Sequence, residues 1–208
     1  MSNLEELINE TGNIKFLTER KDIFFSEIFE SSLNDFIIEL DDKSDIIFNN
    51  NNDSIENKYN QLRLKQLERD FTQKLKLYIL EEPFEYGFET KADKLVIDNL
   101  SINSIATKEW INKIYLNNFD NSEYTIGILR LISRLEIEDI SPQGPTMAIA
   151  ALAHQNEEIQ ETAIRAFENW SSLKHIEILK TVQVKSEWLV DYLSSVITNI
   201  EIEYGIVS

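Results

Sequence analysis

Three helix-length segments in the second half of the chain can be laid over one another, and this self-similarity limits the fold more than any other feature. They are 122–135 (SEYTIGILRLISRL), 157–170 (EEIQETAIRAFENW) and 186–200 (SEWLVDYLSSVITNI). Between the first two, Ile128 falls on Ala163, Leu129 on Ile164, Arg130 on Arg165, Ile132 on Phe167 and Leu135 on Trp170, at a constant offset of 35. The third lies under the second at an offset of 29, with Trp188, Tyr192 and Val196 beneath Ile159, Ala163 and Phe167. Periods in this range belong to helical arrays, in which one helix pair is too small to bury its own apolar face and stacks on its neighbours. The expected fold is therefore all-α: an α-solenoid-like stack of antiparallel helix pairs with an N-terminal helical layer.

Turn chemistry points the same way. Five glycines and three prolines in 208 residues are too few for a sandwich or barrel, which needs a turn signal about every ten residues. A hydrophobic content of 42% with 10% aromatics is that of a folded domain. Cysteine is absent, so disulfides, thiolate zinc sites and cysteine nucleophiles are excluded, and a reducing cytoplasmic location is expected. The start MSNLEELINE is acidic rather than basic-then-apolar, which argues against a signal peptide. No run of about 18 apolar residues suggests a membrane span.

Net charge is −17. A chain this acidic is repelled by phosphate backbones and anionic membranes, so direct nucleic-acid or membrane binding is not expected. The charge is unevenly spread: residues 1–55 hold 13 acids and 4 bases, residues 56–94 hold 8 of each, and residues 95–208 hold 16 acids and 8 bases. Solubility accounts for such a surplus, and so does steering toward a basic protein partner.

Along the chain, Ser2, Leu4, Leu7 and Ile8 read as a short helix ending near Gly12. From Phe16 to Leu40 the apolar residues, four phenylalanines among residues 16–29 included, recur at three- and four-residue steps and predict core-facing helix. Residues 41–53 (DDKSDIIFNNNND) predict a loop. Its acids Asp41, Asp42, Asp45 and Asp53 lack the calcium-loop spacing, so no metal is expected there. A single long helix is predicted over about 55–80, capped by Ser54, with Leu64, Leu67, Phe71, Leu75, Tyr78 and Ile79 on one face. The same segment carries Lys58, Arg63, Lys65, Arg69, Lys74 and Lys76, a basic stripe expected to pair with the acidic N-terminal helices.

Pro83 should end that helix, and the aromatic-acidic stretch 83–90 (PFEYGFET) reads as a linker. It divides residues 1–88, the N-terminal helical layer, from 89–208, the repeat region, within what is expected to be one continuous unit. Helices are then predicted at 91–100, 108–118, 122–135, 145–154, 157–170, 174–181 and 186–202. Thr107, Asp120 or Ser122, Ser141, Asn156 and Ser186 stand at the expected N-caps. The small-residue segment Met147 to Ala153 should form the buried centre.

Over residues 141–202 the chain resembles HEAT or armadillo-type repeats. Asn156-Glu-Glu-Ile159 followed by Ala163, Arg165, Ala166, Phe167 and Trp170 is similar to the second helix of such a repeat. The resemblance implies a right-handed stack of helix pairs that binds proteins, and it brings no catalytic residues with it.

Chemistry is thinly represented. His154 and His175, the two histidines, lack the i, i+4 spacing of a helical zinc site and read as capping or surface residues. No Gly-rich phosphate loop, GxSxG elbow or HExxH is present. No catalytic, cofactor or metal residues are assigned, and the chain is not expected to be an enzyme. The candidate partner-binding residues are Trp188, next to an N-cap and expected to be partly exposed, and the acidic connector Glu136, Glu138 and Asp139. The leading expectation is an acidic helical-repeat adaptor or scaffold. The alternative is an immunity- or antitoxin-type inhibitor, or a nucleic-acid mimic, that blocks a basic nuclease or DNA-binding protein.

Overall fold

Asparagine side chains begin three of the helices. Asn103 Oδ1 accepts the Ala106 N–H at 2.9 Å, Asn121 that of Tyr124 at 3.2 Å, and Asn156 that of Glu158 at 2.8 Å. Each satisfies a backbone donor that the first helical turn leaves free. Thr90 and Asp93 form a reciprocal capping box, with bonds of 3.1 and 2.8 Å. The computed structural model describes residues 52–82 and 88–206. Among them it contains ten α-helices, a 3-10 turn at Leu173–His175, and no strand. We label the helices α1 (Asn52–Asp70), α2 (Thr72–Glu81), α3 (Lys91–Ile102), α4 (Ser104–Asn117), α5 (Ser122–Ile132), α6 (Ile137–Ile140), α7 (Gln143–Leu152), α8 (Glu157–Trp170), α9 (Ile176–Leu179) and α10 (Glu187–Glu203). The described chain is all-α.

Within Asn52–Ser208, α1 packs on α4 and α4 on α7, while α2 packs on α5, α5 on α8 and α8 on α10. One contiguous core joins them, from Leu67 and Leu75 through Trp110, Ile128, Leu131 and Phe167 to Val196 and Ile200. At Gly127 α5 lies tight against α2, since a Cβ there would run into the Ile79 side chain. In α7, Met147, Ala148, Ala151 and Leu152 are buried while Ala150 and Ala153 face outward. The small side chains let α7 approach α4 and α8 together.

Several expectations need correction. The single helix over about 55–80 is two helices meeting at Phe71, whose φ of −119° lies well off the usual helical value. The apolar pattern continues through the break because both helices feed one core. On either side of the break, α1 packs on α4 and α2 on α5. Ser54 does not start α1, which begins at Asn52. Thr107 is not a cap but a fully buried residue inside α4, its hydroxyl donating to Asn99 O at 2.9 Å. Asn121 takes the cap expected of Asp120 or Ser122, and Ser141 precedes α7 without capping it. Ser186 holds the N-cap position of α10, but its side chain makes no capping bond. The helix expected over 174–181 is a 3-10 turn followed by the single turn α9.

The basic stripe of α1 and α2 is partly absorbed within this unit. Arg63 reaches inward to Asn99 Oδ1 at 2.6 Å, and Arg69 pairs with its neighbour Asp70 at 2.7 Å. Lys74 lies over the Tyr78 ring, and Lys76 over Tyr124. The expected pairing with N-terminal helices, those helices themselves and the loop over 41–51 lie outside the described residues, as does most of the 83–90 linker.

Candidate functional site

Helix α8 has two faces that read directly from its residues. Ile159, Ala163, Ile164, Ala166 and Phe167 are buried. Glu157, Glu161, Arg165 and Glu168, spaced by four, four and three, form one polar stripe. Helix α10 buries Leu189, Leu193, Val196 and Ile200 at the same kind of spacing. Trp188 and Tyr192, each one residue before a buried leucine, fall at the edge of that face and reach back to α8. The Trp188 indole N–H donates to Glu157 Oε2 at 3.2 Å, and the Tyr192 hydroxyl donates to Glu168. At the far end, the Tyr204 hydroxyl donates to Ser171 O at 3.1 Å. Trp188 thus meets the first turn of α8, while Tyr192 and Tyr204 meet its last turn and the residue that follows it.

Between α8 and α10 lies a groove of about 490 Å³ lined by Glu161, Arg165, Glu168, Asn169, Trp188 and Tyr192. Trp188 is 47% exposed. Arg165 pairs with Glu161 at 2.7 Å, with both side chains in contact with water. Counting Glu157, three carboxylates and one guanidinium line or flank the site. The Tyr192 phenol is pushed up from its ordinary range, first by burial and then by its bond to Glu168. It stays a protonated donor at neutral pH.

A second groove of about 340 Å³ runs between α2 and α5, lined by Ile79, Leu80, Glu81, Glu82, Glu123, Gly127 and Arg130. Glu82 there is held below the usual carboxylate range by its hydrogen bond from Lys91, and this pair accounts for its charge.

The structure separates the residues singled out from sequence. Trp188 is exposed, as expected, at the start of α10. Glu136, Glu138 and Asp139 are exposed on and beside the four-residue α6. That connector follows Leu135, whose carbonyl accepts from Trp170 at the end of α8. Trp188 bonds to Glu157 at the opposite end, thirteen residues away, so about 20 Å of helix separates the two halves. They do not form one site.

The remaining aromatics are mostly core: Trp110, Tyr115 and Tyr124 are buried, and Trp170 is half-buried. His154 Nδ1 accepts the Asn156 N–H at 3.0 Å, a local turn bond, while His175 packs against the Phe167 ring. No group of three or more potential metal ligands comes together among the described residues. None of the described helices is long and apolar enough to cross a membrane. The chain matches no family model, no curated protein and no solved structure. The site must be read from its own chemistry.

Sequence reasoning found Trp188 and missed its neighbours. The signal was present in the spacing of Glu157, Glu161, Arg165 and Glu168. Nothing local, however, said that this stripe would face a tryptophan some 30 residues later.

Proposed function

We propose that this chain is a HEAT-like, α-solenoid-like stack of antiparallel helix pairs that serves as a protein-binding adaptor or scaffold and performs no catalysis itself. Two runs of like-on-like packing support the stack: α1 on α4 on α7, and α2 on α5 on α8 on α10. The 35-residue sequence offset also recurs in space, since Trp170 donates to the carbonyl of its counterpart Leu135 at 3.2 Å. The observation that carries the binding role is Trp188. A large indole, half exposed beside a groove on an acidic surface, is the kind of residue that anchors protein interfaces.

The test compares the proteins captured from native lysate by the full chain with those captured by its Trp188→Ala variant. A partner retained by the former and lost by the latter supports the adaptor. A partner held equally by both removes Trp188 from the interface and with it the basis of this reading.

The exposed acids Glu136, Glu138 and Asp139, on a chain of net charge −17, favour a second reading: an inhibitor that occupies the basic site of a nuclease or DNA-binding protein. That reading gains if charge reversal at these three positions abolishes capture and affinity falls steeply with salt. It loses if capture is nearly independent of salt.

A further inference from the structure

We propose that the α8–α10 groove takes an arginine side chain of the partner polypeptide, its guanidinium stacked on Trp188 and held by Glu161 and Glu168. This rests on the protein-binding reading above and names what the partner presents. The walls supply the two things a guanidinium uses. One is an aromatic face: Trp188 is 47% exposed and its indole N–H is tied to Glu157 at 3.2 Å, which fixes the ring's orientation. The other is carboxylate: Glu161 and Glu168 line the groove, and each has a second oxygen besides the one that accepts from Arg165 or Tyr192.

Arg165 already places one guanidinium here, 2.7 Å from Glu161 and with much of its side chain in water, and an incoming guanidinium would compete with it for that carboxylate. Arginine is favoured over lysine because a planar fork can stack and bond two oxygens together, whereas an ammonium is a strongly hydrated point charge. A volume of about 490 Å³ is within the range that small-ligand sites occupy.

The experiment uses the full chain labelled with ¹⁵N and follows its indole N–H signals, with buried Trp110 and half-buried Trp170 as internal references. Capped Gly-Arg-Gly, Gly-Lys-Gly and Gly-citrulline-Gly peptides are titrated in. The arginine peptide should move the Trp188 signal saturably, the lysine peptide should bind several-fold more weakly, and neutral citrulline should be weaker by about tenfold. The Glu161→Gln/Glu168→Gln double variant should lose about tenfold. Arg165→Gln should bind the arginine peptide several-fold more tightly, because the internal competitor is gone, and a misfolded variant cannot mimic that gain.

Equal binding of the citrulline peptide, an arginine peptide that leaves the Trp188 signal unmoved, or an Arg165→Gln variant that binds no tighter would each overturn the proposal. The two readings fail separately. Partner capture that needs Trp188 without an arginine response leaves the adaptor standing and removes the arginine. An arginine response with capture indifferent to Trp188 does the reverse.

Discussion

Gln160 shows how one side chain can close a helix end it does not belong to. It is buried at the first turns of α8, and its amide donates to Leu152 O at 3.0 Å and His154 O at 2.9 Å. Those carbonyls lie at and just beyond the end of α7, where intrahelical partners run out. Gln160→Ala would leave both carbonyls, the Leu152 one in a buried setting, without that donor, and we expect a loss of about 1–3 kcal/mol, read as a lower urea midpoint with an unchanged slope. Gln160→Glu offers no donor once ionised and buries a charge. Its stability should fall further as pH rises through the carboxyl's elevated range. His175 titrates in the opposite sense. Burial, then the neighbouring Lys174, holds its pKa below the ordinary value, so the folded state binds the proton less readily than the unfolded chain. Its contribution is present above the ordinary histidine pKa and is lost as pH falls from there through the lowered one. Urea midpoints between about pH 5 and 8 should therefore drop on the acid side. Substituting His175→Gln should flatten that limb, and an unchanged limb would place the titration elsewhere.

At the scale of the element, two N-cap residues that look alike in sequence behave differently. Asn156 accepts the Glu158 N–H at 2.8 Å and starts α8, whereas Ser186 stands before α10 with its hydroxyl buried and no capping bond. Asn156→Ala should cost about 1 kcal/mol, while Ser186→Ala should be neutral or slightly stabilising, because it removes a buried hydroxyl that has no partner. Chemical denaturation of the pair decides this, and equal losses would mean that Ser186 caps in solution after all. The same contrast marks what could be read from sequence. Helix α8 was legible end to end, because its cap, acidic first turn and apolar period all agree. The break at Phe71 was hidden, because Leu67, Phe71 and Leu75 keep their four-residue step across it. Thr107 misled because a buried hydroxyl can be satisfied by the carbonyl of Asn99 as well as by a cap. Helix contact leaves its own trace at Gly127, which no periodicity could assign. Gly127→Ala gains helix propensity of about 1 kcal/mol but drives a methyl into Ile79. Overpacking of about 1–3 kcal/mol should outweigh that gain, giving a lower melting temperature, and the penalty should disappear in an Ile79→Ala background, which removes the Cγ2 methyl that the new Cβ would meet.

For the whole molecule, charge and the groove set opposite responses to salt. Local pattern revealed the stripe on α8 and the indole on α10 but not their meeting, because their register comes from the core between the helices: Phe167 on one side, Leu193 and Val196 on the other. The net charge of −17 needed no structure to be read, and it destabilises any compact state through self-repulsion. Raising salt from about 0.05 to 0.5 M shortens the screening length from well above 10 Å to below it, so the urea midpoint should rise. An arginine in the groove loses attraction over the same range, so its affinity should fall, and by more in wild type than in the Glu161→Gln/Glu168→Gln variant, where little charge is left to screen. Stability and affinity moving in opposite directions in one salt series would mean that repulsion across the surface and attraction at the groove are separate consequences of the same acids. If both rise together, the contact with Trp188 is apolar, and the carboxylates around it serve only to keep the chain in solution.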